Sequence, residues 1–91
     1  MAQALIEIGP KWGRYDTARA GEALAGAALA GAAGRFQSDI VVVANGRHAN
    51  AKDAMSVVAL RAKCGTRMQI LSSGPDEDDA LDSLASLLTQ R

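Results

Sequence analysis

Ninety-one residues suffice for one small domain, and ten lysines and arginines balance ten aspartates and glutamates, leaving no net charge to draw in nucleic acid or an anionic membrane. Hydrophobic residues make up 48% and charged residues 22%, the balance of an ordinary soluble globular chain. The single cysteine, Cys64, cannot close an internal disulfide, and Met1 to Ile8 lacks the basic start and long apolar run of a secretory signal, so a cytoplasmic location is expected.

Ala4 to Ile8 is apolar with alternation at its end and predicts a short strand. Gly9-Pro10 breaks it, and Lys11 to Tyr15 forms a loop holding the only tryptophan, Trp12, and the only tyrosine, Tyr15. Asp16 is placed to cap a helix that runs from Thr17 to about Gly34, where a glycine suits a left-handed stop. That helix holds glycines at 21, 26, 31 and 34. Each interior glycine costs about 1 kcal/mol relative to alanine. Its glycines and alanines can serve close packing inside the domain or a smooth surface for a partner helix. It is too weakly apolar to span a bilayer.

Asp39 to Ala44 is dominated by β-branched residues and predicts a strand. Asn45-Gly46 is a strong hairpin signal, so Arg47 to Ala51 is expected to pair back antiparallel. Asp53 then caps a short helix, Ala54 to Leu60, with Met55, Val58 and Ala59 on one face. Gly65 turns the chain into a strand over Met68 to Ser72. Gly74-Pro75-Asp76 opens the last helix, whose acids at 76 to 79 complement the positive helix end and whose Leu81, Leu84, Leu87 and Leu88 are expected as its buried stripe. The order is β-α-β-β-α-β-α. It implies a single α+β domain, with a four-stranded antiparallel sheet and three helices on one face.

From Phe36 to Leu88 the chain resembles HPr, the phosphocarrier protein of the bacterial sugar phosphotransferase system. The stretches RFQSDIVVVANGRHANAKDAMSVVAL and GTRMQILSSGPDEDDALDSLASLL carry the likeness without a gap through three strands and two helices. The resemblance implies the family's open-faced β-sandwich. In that family the motif Gly-[Ile/Leu]-His-Ala-Arg-Pro-Ala opens the first helix. Its histidine accepts phosphate from enzyme I, and the helix N-terminus and the arginine stabilise the added charge.

That motif is missing here. Counting back from Phe36 without a gap sets Glu22 at the histidine, Leu24 at the arginine and Ala25 at the proline. A second alignment sets Thr17-Ala18-Arg19-Ala20 against His-Ala-Arg-Pro and keeps an Ala-Arg pair. Neither supplies a histidine. Arg19 remains a candidate anion contact near the helix start.

The resemblance also places Asp53 at a position that is serine in some HPr proteins and is phosphorylated there by a regulatory kinase. Asp53 thus reads either as a fixed negative charge or as a simple cap, a task aspartate and serine perform equally. Met55 and Val58, three apart, are expected to be partly exposed beside it as an apolar contact patch. The only histidine, His48, reads as a strand residue rather than a ligand, and His48 with Cys64 makes no metal site. Cys64 has only Lys63 as a cationic neighbour, and the acids at 76 to 79 lack the spacing of a calcium loop.

The expectation is therefore an HPr-like domain without the phosphoacceptor histidine. It would bind protein partners, enzyme I or other phosphotransferase or regulatory proteins, through the first helix start and the Asp53 to Leu60 helix. No cofactor, metal, nucleic acid or membrane is expected. A working carrier that uses an atypical residue is the alternative. A structural or assembly partner, including a homo-oligomer, is a third reading.

Overall fold

The computed structural model describes residues 1–9, 28–62 and 65–89. The elements, in chain order, are β1 (Ala2–Glu7), α1 (described over 28–33), β2 (Asp39–Ala44), β3 (Arg47–Asn50), α2 (Ala54–Ala59), β4 (Arg67–Ser73) and α3 (Glu77–Leu88). The strands form one four-stranded sheet in the order β1-β4-β2-β3, and every neighbouring pair is antiparallel. This is the expected open-faced α+β arrangement.

Alternation along the strands explains the two layers. Side chains two apart share a face of a sheet. Ile40, Val42 and Ala44 of β2 are buried, as are Ala49 of β3 and Met68, Ile70 and Ser72 of β4. On the same side lie Leu29 and Ala33 of α1, Val57 and Leu60 at α2, and Ala80, Leu84 and Leu88 of α3. The opposite face is open, with Leu5 at 68% exposure on β1. α3 lies over β1 and β4, and α2 abuts β3. No helix among the described residues is long and apolar enough to cross a membrane.

The hairpin forms as its residues dictate. Asn45 (φ 53°) and Gly46 (φ 75°) both take positive φ, and the ladder closes on Ala44 with Arg47. Two positive φ values define the turn whose twist matches the flanking strands.

Several boundaries differ from the sequence reading. β1 spans Ala2–Glu7 rather than Ala4 to Ile8, because its register against β4 starts at Ala2 with Ser72. Ile8 has left the ladder, although its amide still donates to the Thr66 carbonyl at 2.9 Å. β3 ends at Asn50, where Ala51 turns its amide to the Ile40 carbonyl at 2.9 Å. β4 gains one residue at each end.

Gly34 does not take the left-handed conformation expected of it, since the positive-φ glycines among the described residues are 46, 65 and 74. α1 instead tightens, with Arg35 N–H donating to Ala32 and Phe36 N–H to Ala33 at 3.3 and 3.2 Å. Such three-residue-spaced bonds satisfy the last carbonyls without a left-handed residue. On α3 the buried stripe is Ala80, Leu84 and Leu88, while Leu81 and Leu87 are half-buried at its edges. The four-residue spacing of Ala80, Leu84 and Leu88 aims them at the sheet, and Leu81 and Leu87 flank that line.

Candidate docking surface around helix α2

α2 is short and is fixed at both ends by side chains. At its start Asp53 has an extended backbone (φ −109°, ψ 104°), and its Oδ1 accepts from the Met55 amide at 3.1 Å. Its Oδ2 accepts from Ser56 Oγ at 2.9 Å. One carboxylate thus ties an orphan amide of the first turn and the hydroxyl one turn in. Just before it, Lys52 N–H donates to Asn50 Oδ1 at 3.0 Å, and Lys52 Nζ donates to the Phe36 carbonyl at 2.9 Å. The start of α2 is therefore anchored to the exit of α1.

At its other end α2 leaves through Arg61 in the left-handed region, with φ 55°. Asn45 of the hairpin closes this end, its Nδ2 donating to the Leu60 and Arg61 carbonyls at 2.9 and 3.3 Å. Helix C-terminal carbonyls lack intrahelical partners, and this amide supplies one.

Between these clamps Val57 points into the core and Leu60 closes beneath it. The outer face carries Met55, 81% exposed, with half-buried Val58 and exposed Ala59. The turn thus presents a large, flexible apolar side chain beside the Asp53 carboxylate. Met suits an adaptable contact because its unbranched chain fits irregular pockets.

The residues matched to the family's reactive motif, Thr17, Arg19, Glu22, Leu24 and Ala25, lie outside the described residues, as do Trp12, Tyr15, Lys63 and Cys64. His48 is exposed on β3 and pairs with Val43, while its neighbour Ala49 is buried. It therefore points to the open side of the sheet, opposite the helices. No group of three or more metal-ligating side chains occurs among the described residues.

A second polar cluster was not read from the sequence. Asp76, expected to serve its own helix, makes no capping bond to α3. Its carboxylate instead accepts from the Gln37 and Ser38 amides, each at 2.9 Å, and from Ser38 Oγ. Ser38 Oγ in turn accepts from the Asp76 amide at 3.2 Å. The Ser38 hydroxyl, then the Gln37 amide, hold the Asp76 carboxyl below the usual carboxylate range. Gly74 permits the approach: a Cβ there would meet Ser38 Cα and Oγ at 2.7 Å. The acids that do sit in the first turn of α3 are Glu77, Asp78 and Asp79. The clasp joins the exit of α1 to the entry of α3, and no local pattern announces a pair 38 residues apart.

Comparison with known proteins gives these residues a context. A family model described as "PTS HPr component phosphorylation site" matches residues 19–90. The phosphocarrier protein HPr of Cupriavidus necator is 39% identical over 59 residues, which are 65% of this chain and 66% of that protein. The HPr-like protein Crh of Bacillus subtilis is 34% identical over 58 residues, 64% of this chain and 68% of that one. Among solved structures, the HPr-C-His crystal structure from Thermoanaerobacter tengcongensis superposes with a TM-score of 0.80 at 27% identity, covering 97% of this chain and 91% of that one.

Proposed function

The chain belongs to the HPr family of phosphotransferase-system phosphocarriers, and from that membership we propose that it has lost phosphoryl transfer and acts as a binding and regulatory module through the outer face of α2. The observation that carries this reading is the fate of the imidazole. The only histidine is His48, and it lies on β3 facing the open side of the sheet.

A carrier must accept a phosphoryl group and release it again. Neutral imidazole does both, because it is a good nucleophile near neutral pH and its phosphoramidate is labile. A threonine at Thr17 would yield a stable ester that resists onward transfer. A carboxylate at Glu22 is a poor nucleophile and repels the incoming phosphate.

What the chain retains is a surface. Seating the exposed Met55 side chain in a partner pocket removes apolar area from water, worth roughly 1.5–3 kcal/mol for full burial. Val58 extends the patch, and Asp53 sets a negative charge at its rim. In a family whose matching position is serine in some members, that carboxylate supplies part of the charge of a phosphoserine at all times. Enzyme I and other phosphotransferase or regulatory proteins are the partner class.

Titration of isotopically labelled protein with enzyme I tests the surface. The expected result is amide shifts centred on Met55 to Ala59, with weaker binding by Met55→Ser at unchanged stability. Shifts confined to the open sheet face, or equal binding by Met55→Ser, would overturn the assignment.

A further inference from the structure

We propose that the free edge of β1 takes a second copy of this chain, the two β1 strands pairing antiparallel about a two-fold axis at Leu5. In the order β1-β4-β2-β3, β1 pairs with β4 alone, so one side of its backbone meets no strand. The ladder fixes which groups lie on that side. Ile8 follows Glu7 in the register and stands opposite Thr66. It gives its amide to the Thr66 carbonyl and takes the Gly65 amide on its own carbonyl, each at 2.9 Å. Backbone groups alternate in direction along an antiparallel strand, so Ala2, Ala4 and Ile6 also turn theirs to β4. Gln3, Leu5 and Glu7 turn theirs outward, and their side chains are exposed on the open face. Natural edge strands are commonly blunted by lysine, proline or a bulge. Ala2–Glu7 has none of these, its register runs unbroken, and Leu5 is 68% exposed.

Three features suit this edge to a copy of itself. With Leu5 opposite Leu5, Gln3 of each chain faces Glu7 of the other, and all the outward residues fall at hydrogen-bonded positions, where each pair exchanges two backbone bonds. The side chains match as well. Gln3 Oε1 accepts from Gln69 Nε2 at 3.1 Å, which leaves the Gln3 amide group to donate to the Glu7 carboxylate of the second copy. The two Glu7 charges then lie at opposite ends of the seam.

The third feature is α3, which lies over β1 and β4. Strands β1 and β2 are parallel to each other, since both run antiparallel to β4, and the crossover between them takes the right-handed form. That hand sets half-buried Leu81 and Ala85 on the flank of α3 toward the free edge of β1. Strands in a sheet lie about 4.8 Å apart, so pairing brings the two α3 axes to two strand spacings, about 10 Å. Packed helices stand at that separation. Exposed Asp78 and Asp82, outside the apolar flank, repel across the seam, and salt screens them. α2 abuts β3 at the far edge of the sheet, so the pairing leaves the α2 surface free and does not depend on it.

Sedimentation at high salt, from micromolar to about 1 mM, with amide exchange at both extremes, tests the pairing. A reversible monomer–dimer equilibrium is expected, with exchange at Gln3, Leu5 and Glu7 slowed at least about threefold at the high concentration. Leu5→Lys sets two like charges opposite each other on the axis and should weaken association about fivefold. Ala85→Glu, on α3 rather than the strand, should weaken it too, and the circular dichroism of both variants should match that of the parent. A chain that stays monomeric at about 1 mM overturns the proposal. So does association that leaves the three edge amides unprotected, or that both folded variants retain at parental strength. A dimer that persists on dilution, the mark of exchanged strands, also overturns it.

Discussion

Replacing Asp53 by alanine removes two bonds at the entry of α2, the Met55 amide at 3.1 Å and the Ser56 hydroxyl at 2.9 Å. α2 has no acidic residue in its first turn and spans only Ala54–Ala59, so no neighbouring carboxylate takes over the role. Loss of an N-cap costs about 0.5–2 kcal/mol. Met55 is exposed, so water reaches the freed amide and the cost falls near the middle, about 1 kcal/mol. With a urea dependence of about 1–3 kcal/mol per molar, the unfolding midpoint should drop by about 0.3–1 M. Circular dichroism through a urea titration reads this directly. Asp53→Ser keeps an acceptor oxygen at the same place, and its midpoint should stay close to that of the parent. If serine costs as much as alanine, capping is not what Asp53 does. Partner binding separates the second role: weaker binding by Asp53→Ser at an unchanged midpoint identifies the fixed charge as functional, and equal binding leaves only the cap.

Two glycines in positive φ should respond differently to alanine. Gly46→Ala meets open space and should cost only backbone strain, roughly 1–2 kcal/mol, whereas Gly74→Ala (φ 148°) also drives a Cβ into Ser38 at 2.7 Å and should lose about 2–5 kcal/mol in thermal or urea unfolding. Leu84→Ala, in the fully buried seam of α3, should cost about 2–5 kcal/mol by the same measurement. The lowered carboxyl of Asp76 adds stability that is fully present above the unfolded-state carboxylate range of about 4. That contribution is lost as pH falls through the folded-state value, so stability measured against pH should fall less steeply on the acid side in Asp76→Asn.

Local signals in the sequence explain most of the fold. Asn45-Gly46, the β-branched run of β2 and the Asp53 cap each act within a few residues, and each appears where those residues stand. Boundaries that depend on a distant partner were less legible. β1 begins at Ala2 because Ser72 stands opposite, a register that no window around β1 contains. Leu81 and Leu87 read as core because leucine is apolar, yet α3 aims Ala80, Leu84 and Leu88 at the sheet. The outer face of α2 was legible because Met55 and Val58 fall three apart on a helix with a clear cap. The clasp of Asp76 on Ser38 and the reach of Asn45 to the end of α2 were not, since each joins segments far apart in the chain. For the first helix start, the sequence argument stands by itself, because Thr17, Arg19 and Glu22 lie outside the described residues.

Loss of phosphoryl transfer is tested most directly by mass. The chain and an ordinary HPr are incubated side by side with enzyme I and phosphoenolpyruvate, and both are weighed intact without acid. One added phosphoryl group on the control and none on this chain is the predicted result. Acid-labile phosphate on this chain, mapped to Glu22 or His48, would contradict it and make the protein a working carrier with an atypical acceptor.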